Sequence, residues 1–149
     1  MSDINFYHMQ HSALESVLPK LLEKSMAAGK RSLVLTSSAE KSEQLAKHLW
    51  SYEPSSWMPH GTIKDGSPAE QPIWISQDDD NQNAAEFLFL SDNARSSSLD
   101  DFERCFVLFD GNNMEFLQGA REYWKSCQED GHDLTYWQQN DRGNWSKKQ

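Results

Sequence analysis

The N-terminal third of the chain alternates strand-like and helix-like patterns, and this order constrains the fold more than any other feature. Residues 4–9, INFYHM, form a short apolar and aromatic run of strand character. Ser12 then opens a helix, with Glu15 three residues on as its capping-box partner. Leu14, Val17, Leu18, Leu21, Leu22 and Met26 recur at helical spacing and define one apolar face. Pro19 lies inside that pattern, where a ring without an N–H kinks a helix or marks its true start. Gly29 stops the helix, and RSLVLT (31–36) reads as a buried strand. Ser37 with Glu40 makes a second capping box, opening a helix through Leu45, Leu49 and Trp50. Strand, helix, strand, helix is the order that produces parallel strands with helices on their faces. The expected class is therefore three-layer α/β, a mainly parallel sheet flanked by helices.

The remainder continues the pattern. Pro54 closes the first unit, and residues 61–72, GTIKDGSPAEQP, read as an exposed loop of turn chemistry. IWIS (73–76) and EFLFL (86–90) read as strands separated by the polar QDDDNQN. CFVLF (105–109) is the most apolar run and the expected central strand. Gly111 turns the chain, and Asn112 with Glu115 caps a helix that ends at Gly131. Phe116, Ala120, Tyr123 and Cys127 form that helix's apolar stripe, and DLTYWQ reads as the last strand. Without internal repeats, residues 1–149 read as a single domain.

Composition removes several function classes. At 37% hydrophobic and 25% charged residues the chain is expected to be globular and not disordered. It has no apolar run of membrane-spanning length, and MSDINFYHMQ lacks the pattern of a signal peptide. Cys105 and Cys127, without a C-x-x-C, suit buried thiols in a reducing cytoplasm. A net charge of −9 argues against a general nucleic-acid binder. That charge is uneven: residues 121–149 carry five cations and five anions and are neutral. An anion-accepting surface is therefore expected in the C-terminal part.

Catalytic signatures are missing. The first strand-to-helix turn, HMQHSALES, lacks G-x-G-x-x-G, and there is neither a phosphate loop nor a G-x-S-x-G. Asp78, Asp79 and Asp80 read as a solvated acidic turn, and the five histidines have no metal-ligand spacing. No cofactor, metal or catalytic residue is expected.

Aromatic residues in irregular or terminal segments remain. LWSYEPSSWMPHG places Trp50, Trp57, Met58, Pro59 and His60 at a helix end and in the loop after it, a rigid apolar surface of the kind partners use. SCQEDGHDLTYWQQNDRGNW (126–145) brings Tyr136, Trp137 and Trp145 to a region that most domains leave polar. These rings either complete the core or line a surface that another molecule touches. On a strand, Tyr136 and Trp137 point to opposite faces.

In order along the chain, FYHM, LPKLLEKSMAAGKRSLVLT, LAKHLWSYEPSSWMPHG and AREYWKSCQEDGHDLTYWQQ resemble the chi subunit family of bacterial DNA polymerase III. The resemblance covers nearly the whole chain. It implies a Rossmann-like fold without a nucleotide site and a non-catalytic bridging role. The implied partners are the psi subunit, through it the clamp loader, and the acidic C-terminal tail of single-stranded DNA-binding protein, with DNA contacted only indirectly. It assigns Trp50, Trp57, Met58, Pro59 and His60 to the psi-facing region. It assigns Arg121, Trp124 and Lys125, joined by Leu117 and Tyr136, to the tail-binding region. Asp110 departs from the pattern, standing where an apolar wall residue is expected.

The residues themselves fit that assignment, because Arg121 and Lys125 share a helix face with Trp124. Two cations beside an aromatic suit an acidic tail ending in a phenylalanine carboxylate. Three other readings stay open: a solvated helix face paired with Glu122 and Glu129, a nucleotide- or small-molecule-binding enzyme with an atypical phosphate loop, and a nucleic-acid binder that stacks bases on the C-terminal aromatics.

Overall fold

The computed structural model describes residues 2–51, 60–62, 66–91 and 94–148, with Trp50, Ser51, His60 and Pro68 placed in backbone only. The chain runs β1 (Asp3–Met9), α1 (Leu14–Ala27), β2 (Ser32–Leu35), α2 (Ala39–Ser51), β3 (His60–Gly61), β4 (Ile73–Ser76), β5 (Phe87–Ser91), β6 (Arg104–Asp110), α3 (Met114–Glu129), β7 (Asp133–Gln139) and β8 (Trp145–Lys147). The strands form one sheet in the order β3-β4-β2-β5-β6-β1-β7-β8. Every neighbouring pair is parallel except β7 and β8.

Strand alternation splits the apolar residues into two cores. On one face, Ile4 and Phe6 of β1 join Val107 and Phe109 of β6 beneath α3 and the segment around Leu99 and Phe102. On the other, Met9, Phe89, Phe106 and Leu108 pack with Leu18 and Leu22 of α1 and Leu45 and Leu49 of α2. Each such side chain, fully withdrawn from water, contributes about 1.5–3 kcal/mol. The three-layer α/β expectation holds, and β6 lies inside the sheet as its apolar run implied.

Local chemistry departs from the expected caps. The first helix is capped at Ala13 with no side-chain hydrogen bond, so Ser12 and Glu15 do not form a capping box. Ser12 instead serves the end of β7, its Oγ accepting from Gln139 Nε2 at 3.0 Å. The second cap is Ser38, not Ser37, and its Oγ accepts from the Lys41 N–H at 3.2 Å. The third is Asn113, not Asn112, accepting from the Phe116 N–H at 3.1 Å. At the second and third helices the capping role falls to the next polar residue along the chain. Pro19 neither starts nor ends α1, which runs through it with the ring buried.

Gly131 ends α3 as expected. Its φ of 83° lets His132 N–H reach Cys127 O at 3.2 Å and its own N–H reach Gln128 O at 3.2 Å, the paired bonds of a Schellman motif. Two elements escaped the sequence reading. Gly61, expected in an exposed loop, pairs in β3, and Thr62 beside it is 1% exposed. Past the expected last strand, Asn140 Oδ1 accepts from the N–H groups of Arg142 and Asn144, turning the chain into β8.

Candidate functional site

Arg121, Trp124 and Lys125 stand on one face of α3, and Tyr136 projects toward them from β7. Together they line an open cleft of about 550 Å³ between the helix and the C-terminal hairpin. Trp124 and Tyr136 form the floor, their rings meeting edge-on with centroids 5.6 Å apart. Phe6 backs Trp124 from the core at 5.1 Å.

Four lining residues were not expected from the sequence. Gln118 and Glu122 continue the α3 wall and Gln138 the β7 wall, at positions that helical and strand periodicity could have supplied. Lys148 closes the far side. Its position depends on β8, because its N–H donates to Tyr136 O at 2.8 Å. Leu117 packs against the core cluster and is not in the cleft lining.

The lining holds three cations against one carboxylate, in a chain of net charge −9. Among the described residues, Arg121, Lys125 and Lys148 make no ion pair. Glu122 instead accepts from Gln118 Nε2 at 3.2 Å. Pairing of this helix face with Glu122 and Glu129, the alternative left open by the sequence, is therefore not what these residues show.

Beneath the floor, His8 is 7% exposed and its Nδ1 shares a 2.7 Å hydrogen bond with the Tyr136 hydroxyl. Burial lowers the His8 pKa, the Arg121 charge lowers it further, and Asp110 opposes both. Burial raises the Tyr136 pKa, with Arg121 opposing. The pair stays neutral at neutral pH, leaving the three cations and the single Glu122 carboxylate to set the field of the cleft. Gly111 makes room for the imidazole, since a Cβ there would stand 1.9 Å from His8 Nε2.

A planar guanidinium beside two ammonium groups and ring surface accepts a carboxylate and an apolar side chain together. Groups elsewhere have other uses. Burial pushes Cys105 up to about 12 and Cys127 up to about 11, so neither thiol is ionised. Burial raises the Asp79 pKa, but hydrogen bonds from Ser96 and Ser97 outweigh it and leave the carboxylate lowered, tying its loop to theirs. No group of three metal-ligating side chains exists among the described residues. No described helix is long and apolar enough to cross a membrane.

The turn after β1, where many parallel α/β folds hold a phosphate, is filled from within. Gln139 Oε1 accepts from three successive N–H groups, those of Gln10 at 3.2 Å and of His11 and Ser12 at 2.9 Å. Of the expected psi-facing residues, Trp57, Met58 and Pro59 lie outside the described residues. The backbone of Trp50 lies in the last turn of α2, and that of His60 pairs with Ile73 in the sheet.

These features define a Rossmann-like α/β domain with a cationic aromatic cleft at one sheet edge. The family described as DNA polymerase III chi subunit, HolC, matches residues 1–135, and the chain belongs to that family. The match includes Arg121, Trp124 and Lys125 and stops just before Tyr136. Over 90 residues the chain is 32% identical to a protein of Rickettsia prowazekii (strain Madrid E) named "Probable DNA polymerase III subunit chi". The aligned stretch is 60% of this chain and 54% of that protein, so the chain spans about half the length of this relative.

Proposed function

We propose that the protein is a non-catalytic accessory subunit of DNA polymerase III that links the polymerase machinery to coated single-stranded template. In this reading the α3/β7 cleft receives the acidic C-terminal tail of single-stranded DNA-binding protein. The region from Trp50 to His60 faces the psi subunit and, through it, the clamp loader. The observation that carries the reading is the set of three cations, without ion-pair partners among the described residues, around the Trp124–Tyr136 floor.

The chemistry divides between two halves of the tail. Arg121 holds the terminal carboxylate through its fork, a charge-assisted contact of about 1.5–3 kcal/mol. The ring floor takes the terminal aromatic side chain, worth roughly 1.5–3 kcal/mol when buried. Ordering a flexible segment subtracts several kcal/mol, so the contact is weak and reversible. Lys125 and Lys148 act at longer range on the acidic residues upstream. The enzyme alternative lacks its usual anchor, because Gln139 occupies the turn that would hold a phosphate.

Co-sedimentation tests the bridge. Single-stranded DNA-binding protein and psi are each mixed with wild type, Arg121→Ala and Trp57→Ala. Arg121→Ala is expected to lose the first partner and keep psi, and Trp57→Ala the reverse. If each variant retains both partners, the assignment of the two surfaces is wrong.

A further inference from the structure

The alternation that aims Tyr136 at α3 aims Trp137 at the opposite face of the sheet. There a second open cleft of about 450 Å³ lies between α1 and the C-terminal hairpin, lined by Tyr7, Trp137, Trp145, Ser16, Lys20 and Lys24 among others. Tyr7 and Trp137 are register partners on adjacent strands. Their rings lie within 13° of parallel with centroids 6.3 Å apart. Trp145 of β8 meets Tyr7 edge-on at 5.2 Å. Asn5 steadies the platform, its Oδ1 accepting from Trp137 Nε1 at 3.3 Å.

Lys20 and Lys24, one turn of α1 apart, line the same cleft as these rings. Among the described residues neither lysine forms an ion pair. No carboxylate lines this cleft among the described residues. Lysine ammoniums act as point charges toward phosphate, whereas a carboxylate is matched by a guanidinium fork, which the α3 cleft has in Arg121 and the lining of this one lacks among the described residues. Ring faces beside cations are how proteins hold single strands without reading their sequence.

We infer that the α1/β8 cleft is a contact site for one or two nucleotides of single-stranded nucleic acid. Bases lie against the Trp137–Tyr7 and Trp145 rings, and phosphates face Lys20 and Lys24. The overall charge of −9 makes the contact local and short. It goes beyond the bridging role and involves none of the residues assigned to the acidic tail. The two clefts flank β7, so a tail and a strand can be held at once.

The test follows the indole N–H resonances of the isotope-labelled protein during titration with oligothymidylate. Trp137 and Trp145 should shift while Trp124 stays, and an acidic peptide ending in phenylalanine should do the reverse. Lys20→Ala/Lys24→Ala, both surface changes, should weaken oligothymidylate binding about tenfold at low salt, and Arg121→Ala should leave it unchanged. Two neutralised phosphates give a slope of log affinity against log salt near −1.4. Absent shifts, shifts that survive the lysine substitutions, or shifts at Trp124 would each overturn the inference. Movement of Trp137 and Trp145 with the peptide alone would also overturn it, making the cleft a peptide site.

Discussion

The indole of Trp124 meets the ring of Tyr136 edge-on, tilted by 75° with centroids 5.6 Å apart. The contact fixes α3 against β7 and sets the floor of the cationic cleft. It also connects the cleft to the interior, because the same Tyr136 carries the hydroxyl that His8 engages at 2.7 Å. Tyr136→Phe keeps the floor and removes only that hydrogen bond. Stability in urea should fall by about 1–3 kcal/mol, the cost of an unpaired buried partner. Tail-peptide affinity should stay within about twofold, because the ring remains. A large loss of affinity would place the hydroxyl, and not the ring, in contact with the peptide.

Gly111→Ala puts a methyl group where His8 Nε2 now lies, 1.9 Å from the ideal Cβ. The imidazole cannot yield freely, being held by Tyr136 and lying against Phe109 at 5.1 Å. Overpacking of this kind costs about 1–3 kcal/mol. Adding His8→Ala should recover part of it, a positive coupling in a double-mutant cycle of urea midpoints. Simple additivity would show that the strain lies elsewhere.

Gln139→Ala removes one acceptor from three N–H groups at the entry to α1. The residue is 2% exposed, so water replaces it poorly. A loss of about 1–3 kcal/mol is expected, together with faster amide exchange at Gln10, His11 and Ser12. Unchanged exchange there would mean that these amides do not depend on the glutamine.

Acid should weaken the fold through His8. Its pKa is lowered from 6.5, first by burial and then by Arg121. The unfolded chain therefore binds more protons than the native state between the lowered value and 6.5, so stability rises with pH across that window. On acidification it falls from 6.5 down to the lowered value and then levels off in respect of this group. Urea midpoints followed from about pH 7 to pH 5 should show the slope in wild type. His8→Gln should remove that slope, and an equal slope in both proteins would assign it to other groups.

The legible parts of the fold were those that one stretch of chain decides. Leu14 through Met26 gave α1, CFVLF gave an interior strand, and Gly131 gave the end of α3. Arg121, Trp124 and Lys125 could be grouped because helical spacing alone puts them together. What stayed hidden depended on partners distant in sequence. Ser12 was lost as a cap because Gln139, on the other side of the sheet's N-terminal strand, claims it. Lys148 could not be placed in the cleft without β8, and β8 rests on Asn140 binding the turn N–H groups. Core and surface are not exclusive for the terminal aromatics: Tyr136 and Trp145 pack against the cores and also line clefts.

Fluorescence anisotropy of a labelled peptide, acidic and ending in a free phenylalanine carboxylate, tests the central claim most directly. Titrated with wild type it should give a weak, saturable curve that salt weakens without abolishing, because ring burial persists when charge is screened. Arg121→Ala should remove measurable binding, Lys125→Ala should cost about twofold to fivefold as an exposed point charge, and amidating the peptide's carboxylate should mimic the arginine loss. Equal affinity of wild type and Arg121→Ala for the free-acid peptide would contradict the claim and return this face of α3 to ordinary solvated surface.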